Sequence, residues 1–132
     1  MFLFENLHEI NDFFTRILRK ISSQYGLTFE QSKLLINIPY NGISLSELAL
    51  SLGIDNSTLT RNISKLIKFD YIRIKMSNKD KRIKIIIISK EGKKIVNNIE
   101  QAFFINTKKI NKYLNKDDLQ NIKNSLEKLN WT

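Results

Sequence analysis

Cysteine is absent from this 132-residue chain, and histidine and proline occur once each. Without a thiol there is no disulfide framework, no thiol redox sensor and no cysteine–zinc site. One imidazole, His8, cannot furnish an ordinary multi-histidine metal site. With no Cys, a lone His and no paired acids in a believable cleft, Ser and Thr have no evident base. An enzyme is therefore not expected, nor is a cofactor or a metal. Long apolar runs are missing too: no stretch approaches the roughly 18 residues that read as a membrane span. Met1-Phe2-Leu3-Phe4 is followed at once by Glu5, with neither a cationic lead nor a long apolar segment, so no secretory leader is expected. The expectation is a soluble, cytoplasmic chain with no membrane partner. Acidic residues are comparatively few, 13 Asp and Glu against 22 Lys and Arg, for a formal charge of +9. That excess suits a polyanion or an anionic surface; it sets the class of partner, not its identity.

What is present is organised around the stretch from Ser44 to Arg82. In the segment from Asn56 to Phe69, Leu59, Ile63, Leu66 and Ile67 recur at helical spacing and predict one buried side. Turning each residue by about 100° puts Ser57, Arg61, Ser64, Lys65 and Lys68 on the opposite side, with Thr58 and Thr60 at its margins. Such a face of hydroxyls and cations can meet phosphates and base edges, and a helix is a shape the major groove of duplex DNA admits. A merely solvated helix face is the competing reading. Before it, Ser44-Leu45-Ser46-Glu47 has the spacing of a capping box, Leu45, Leu48, Ala49 and Leu52 supply an apolar stripe, and Gly53 suits a left-handed stop. Asp55 or Asn56 can cap the second helix. Two short helices with a tight Gly turn hold the second one proud of the domain.

A hairpin follows. Tyr71-Ile72-Arg73-Ile74-Lys75 alternates apolar and basic residues, and Ile83 to Ile88 is a β-branched run suited to a strand on a core. The connection, Ser77-Asn78-Lys79-Asp80-Lys81-Arg82, is short, polar and cationic. Arg73, Asn78, Lys79, Lys81, Arg82 and Lys84 make this hairpin a second basic element, able to straddle the backbone and put a cation into the minor groove. Asp80 stands out beside phosphates; its sensible role is to hold Arg82 by a charge-assisted contact, against the alternative of an ordinary turn-forming Asp.

The chain ends are amphipathic. Leu3, Leu7, Ile10, Phe14, Ile17 and Ile21 predict a long first helix to about Ser22, widened by Phe13 and Leu18. Thr28 with Gln31 predicts a capped second helix, ended by Pro39. Ile43 can add a short edge strand to the hairpin. Ser89 caps a helix expected from Lys90 to Tyr113, and Asn115 with Asp118 frames a last one striped by Leu119, Ile122, Leu126 and Leu129. One small domain would struggle to cover both ends, so pairing with a second copy is the expectation; a monomer whose ends cover each other is the alternative.

Taken together, these residues resemble the MarR family of winged helix-turn-helix transcription regulators. The likeness lies in Leu27-Thr28, Ser46-Glu47-Leu48-Ala49, Leu52-Gly53, Ser57-Thr58-Leu59-Thr60-Arg61, Tyr71-Ile72, Asp80-Lys81-Arg82 and Ser89-Lys90-Glu91-Gly92, and it covers essentially the whole chain. It implies a mainly α fold with a small β-hairpin wing. The single domain 1–132 would hold a winged helix-turn-helix lobe at 27–89, flanked by N- and C-terminal dimerisation helices at 1–22 and 90–132. It further implies a homodimer on double-stranded DNA at a palindromic operator, more often a repressor, with Arg82 as the wing arginine steadied by Asp80. A small aromatic or phenolic effector is also implied, for which His8, Phe13, Tyr25 and Tyr40 are available. Plain core is the competing role of those aromatic residues. This chain departs from the pattern at Ile67 or Lys68, where an acid is usual, at Asp70, where Gly is usual, and at Lys81, where a second Arg is common. Two other classes compete with a sequence-specific regulator: an architectural or protein-interaction module with non-specific DNA binding, and a membrane-surface protein using the Phe-rich first helix and Trp131.

Overall fold

The computed structural model describes residues 2–129; Trp131 lies outside the described residues. Helix α1 (Phe2–Gln24) follows its three-four apolar spacing, but only its C-terminal part is buried, at Leu18, Ile21 and Ser22. Helix α2 (Phe29–Ile36) starts on a complete capping box: Thr28 accepts from the Gln31 amide, and the Gln31 side chain accepts from the Thr28 amide. It stops before Pro39, with Asn37 as its C-cap. Strand β1 (Ile43–Ser44) leads into α3 (Leu45–Leu52), which ends at Gly53 with φ +66°. At its start Ser44 accepts from the Glu47 amide, but the reciprocal half of the expected box is missing. The Glu47 side chain instead lines a groove shared with Lys75 and Lys79 of the wing.

Helix α4 (Asn56–Lys68) is followed by the hairpin β2 (Ile72–Met76) and β3 (Lys84–Ile88). The sheet is antiparallel in the order β1-β3-β2, with Ile43 opposite Ile86, Ile72 opposite Ile88 and Met76 opposite Lys84. Helix α5 (Lys90–Thr107), a 3₁₀ turn (Lys108–Lys112) and α6 (Lys116–Glu127) complete the described chain. The helix expected to run to Tyr113 stops at Thr107. There the Thr107 hydroxyl donates to the carbonyls of Phe103 and Phe104 and the Asn106 amide to that of Ala102, local bonds that compete with the regular ladder.

One core joins the parts. Leu18 and Ile21 of α1 and Ile99 of α5 are buried with Leu34, Leu35, Leu48, Leu59, Ile63, Leu66, Ile72, Ile86 and Ile88. The C-terminal half of α1 and the middle of α5 are therefore packed into the same core as the 27–89 lobe. A buried polar contact reinforces this union. The Ser22 and Ser32 hydroxyls lie 2.6 Å apart, and Ser22 also lies 2.6 Å from the Leu18 carbonyl. Ser22→Ala should strand part of this network and destabilise the chain by about 1–3 kcal/mol, whereas the Ser22→Ala/Ser32→Ala double substitution should recover much of the loss. Urea unfolding of the three variants checks this; additive losses would contradict it.

Candidate nucleic-acid interface

The cap of α4 fixes its first turn. The Asp55 carboxylate accepts from the Thr58 amide at 2.7 Å and the Ser57 hydroxyl at 2.8 Å. The Thr58 amide bond foremost, with the Ser57 hydroxyl, pulls the Asp55 pKa down to about 2. The cap is thus ionised at neutral and mildly acid pH. Its contribution, present above the ordinary carboxylate range, is lost as the pH falls through about 2.

From this start Leu59, Ile63 and Leu66 turn into the core. Ser57, Thr60, Arg61, Ser64, Lys65 and Lys68 are exposed on the other side. Thr60 donates to the Asn56 carbonyl at 2.7 Å and Ser64 to the Thr60 carbonyl at 3.0 Å. Their protons are engaged within the helix, and the hydroxyl oxygens remain as acceptors. Two residues depart from the helical-wheel expectation. Ile67 is 43% exposed, because it lies one step past Leu66 at the edge of the buried stripe. Thr58 is half-buried and lines a concavity of about 160 Å³ with Phe29, Leu34, Ile54 and Asn62, so it faces α2. Past the C-cap, Asp70 takes φ +61°, with its amide on the Ile67 carbonyl and that of Tyr71 on the Leu66 carbonyl. The turn that usually wants Gly is made here by Asp.

At the wing tip the Arg82 guanidinium donates from Nε to Asp80 Oδ1 and from Nη2 to Oδ2, both at 3.1 Å, and the Arg82 amide donates to Oδ1 at 3.0 Å. The Arg82 guanidinium, then its amide, holds the Asp80 carboxyl below the usual range. The arginine side chain nevertheless stays 91% exposed, so its direction is fixed while its outer edge is free. Asn78, Lys79 and Lys81 are exposed around it, and Asp80 is half-buried. Strand alternation divides the other cations. Lys84, opposite Met76, lies on the face that continues the core side, and Arg73, opposite Ile87, lies on the other. Lys75 shares the Arg73 face; it was not singled out from the sequence, although the Arg73-Ile74-Lys75 alternation carries that signal.

The terminal helices present apolar side chains to the outside. In α1, Leu3 and Ile10 are exposed, Leu7 is half-buried, and Phe14 packs on Phe103 with ring centroids 5.2 Å apart. In and just beyond α6, Leu119, Ile122, Leu126 and Leu129 are all exposed, and none of the α6 residues is buried. The residues considered for an effector do not converge. His8 lies 3.6 Å from Asp12 on exposed α1, Phe13 is at the surface, Tyr25 packs on the core, and Tyr40 is exposed beneath the Lys93 ammonium. The crevice between α1 and α5 is lined instead by Phe14, Leu18, Ile36, Ile99, Glu100 and Phe103, with a volume of about 170 Å³. Among the described residues no group of three or more His, Asp or Glu could hold a metal ion, and no helix is long and apolar enough to cross a membrane.

A model of the family described as "Transcriptional regulator SarA/Rot" matches residues 16–99, from the buried half of α1 through the helix-turn-helix and the wing to the middle of α5. The chain belongs to the SarA/Rot family of transcriptional regulators. This SarA/Rot chain is also 24% identical over 131 residues to the HTH-type transcriptional regulator TcaR of Staphylococcus aureus (strain Newman), covering 98% of itself and 87% of TcaR. Among solved structures it superposes with a TM-score of 0.82 on the Multiple Antibiotic Resistance Repressor, MarR, at 24% identity, covering 96% of its own length and 94% of that chain. Against a mutant MarR from E. coli complexed with operator DNA the TM-score is 0.75, again at 24% identity, with 96% and 92% covered. The chain thus shares the winged helix-turn-helix fold of the MarR structures, and the family to which it belongs is one of transcriptional regulators.

Proposed function

We propose that this regulator binds a palindromic operator as a homodimer and represses transcription from it. The observation that carries the proposal is the Asp80-clamped Arg82, on a hairpin that follows a helix whose outward face holds only hydroxyls, amides and cations apart from the marginal Ile67. Arg61, Lys65 and Lys68 offer donors to phosphates and to guanine edges in the major groove, while Thr60 and Ser64 offer acceptors. Arg82, with Lys79 and Lys81, serves the adjacent minor groove. Pairing is supported by the exposed apolar side chains of α1 and α6, because leaving Leu3, Ile10, Leu119, Ile122, Leu126 and Leu129 in water would be costly for a lone chain. The MarR repressor and the mutant MarR complexed with operator DNA, which share this fold, support the sign of regulation and the kind of target. The α1–α5 crevice is the proposed place for a small aromatic or phenolic effector, which would act by changing how the lobe sits on the dimerisation helices.

Selection of bound duplexes from random genomic fragments by the purified chain, followed by sequencing, tests the proposal. The expected outcome is two inverted half-sites whose centres are separated by about one helical turn or a multiple of it. A bound pool without a shared motif would favour the architectural reading.

A further inference from the structure

The end of α4, the proposed recognition helix, meets the start of α5 through one short side chain and through direct backbone contact. The Ser89 hydroxyl donates to the Asp70 carbonyl at 2.6 Å and accepts from the Gly92 amide at 3.0 Å, and the Ser89 amide donates to the Tyr71 carbonyl at 2.9 Å. One hydroxyl therefore ties the turn that closes α4 to the turn that opens α5. Gly92 completes the joint. A Cβ at this position would overlap the Tyr71 carbonyl oxygen and crowd Ile88 Cγ1 at 2.8 Å, so the Tyr71 carbonyl rests directly on the α5 backbone. Asp70 and Tyr71 are themselves bound to the last turn of α4 through the Ile67 and Leu66 carbonyls. Residue 92 of α5 is thus linked to the last turn of α4 through Tyr71 and Asp70 by backbone contacts.

We propose that Ser89 and Gly92 are positioning residues that set the separation of the two recognition helices, and with it the half-site spacing the regulator accepts. This rests on the paired-operator reading above. A side chain at residue 92 would have to displace the Tyr71 backbone or the start of α5, the two segments that meet at this joint. Ser89 fixes the same joint by hydrogen bonding, where Thr keeps the hydroxyl and Ala removes it.

The test uses the full chain as wild type, Gly92→Ala, Ser89→Ala and Ser89→Thr, titrated with duplexes carrying the selected half-sites at the native spacing and at one base pair more or less. Sedimentation and thermal unfolding are recorded alongside. Wild type should prefer one spacing by about tenfold or more, the scale of a mismatched base pair. Gly92→Ala should stay dimeric and shift or flatten that preference without changing the half-site sequence it selects. Ser89→Ala should flatten the preference and Ser89→Thr should keep it. Folded dimers of Gly92→Ala and Ser89→Ala with the wild-type spacing profile would overturn the proposal. Should Gly92→Ala fail to fold, the Ser89→Ala and Ser89→Thr pair decides by the same criterion. A wild-type chain with no preferred spacing would instead overturn the paired-operator reading, and the inference would fall with it.

Discussion

Leu126→Asp should convert the regulator to monomers and abolish tight operator binding in one step. Leu126 is 43% exposed on α6, in a stripe with Leu119, Ile122 and Leu129 that none of the described residues covers fully. In the proposed dimer that stripe is closed by a second copy, and a carboxylate introduced there would enter an apolar seam with no assigned counter-ion. Placing an uncompensated charge in such a seam costs about 3 kcal/mol or more, roughly a hundredfold or more in the self-dissociation constant. Operator affinity should fall with it, because a monomer engages one half-site and loses the gain in effective concentration from the second. Since α6 adds no buried residue to the protomer core, the monomer should still fold cooperatively, its thermal unfolding lowered only by what association contributed. Sedimentation and operator titration of the same preparation check the coupling. A Leu126→Asp monomer that held the palindrome as tightly as wild type would refute it.

The second large effect is expected at the wing. Arg82→Ala should lower operator affinity about tenfold to a hundredfold, corresponding to ~1–3 kcal/mol for one well-placed arginine, and should leave the dimer intact. Arg82→Lys should recover only part of the loss, because an ammonium keeps the charge but gives up the planar fork that Asp80 holds at two points. The Asp80 carboxyl is held below its usual range by Arg82. The clamp is therefore fully formed at neutral pH and is lost as the pH falls through that lowered value, so Asp80 should impose no titration on operator binding between about pH 6 and 8. Unchanged affinity of Arg82→Ala at moderate salt would remove the wing from the mechanism.

Much of this architecture could be read from residue order, for identifiable reasons. Helix starts were legible where a short polar side chain reaches an amide three residues on, as at Thr28, Ser89 and Asn115. The Asp80–Arg82 contact was legible because its partners are two residues apart and a charge-assisted fork has few competing geometries. Features set by tertiary packing were harder to read. Nothing local shows that Glu47 leaves its capping amide for the groove beside Lys75 and Lys79, or that Thr58 turns toward Phe29. The break at Thr107 depends on hydroxyl bonds that compete with an otherwise acceptable helical sequence. The α1–α5 crevice illustrates the same limit: it forms where Phe14 meets Phe103, a contact between segments about 90 residues apart in sequence, well beyond the reach of local pattern.

In the proposed mode of action the paired recognition helices read sequence and do more than neutralise phosphate. The most direct measurement is the ratio of dissociation constants for the selected palindrome and for a scrambled duplex of equal length and composition, at physiological salt. Sequence reading predicts a ratio of about 10³ or more, and one below about tenfold would contradict it.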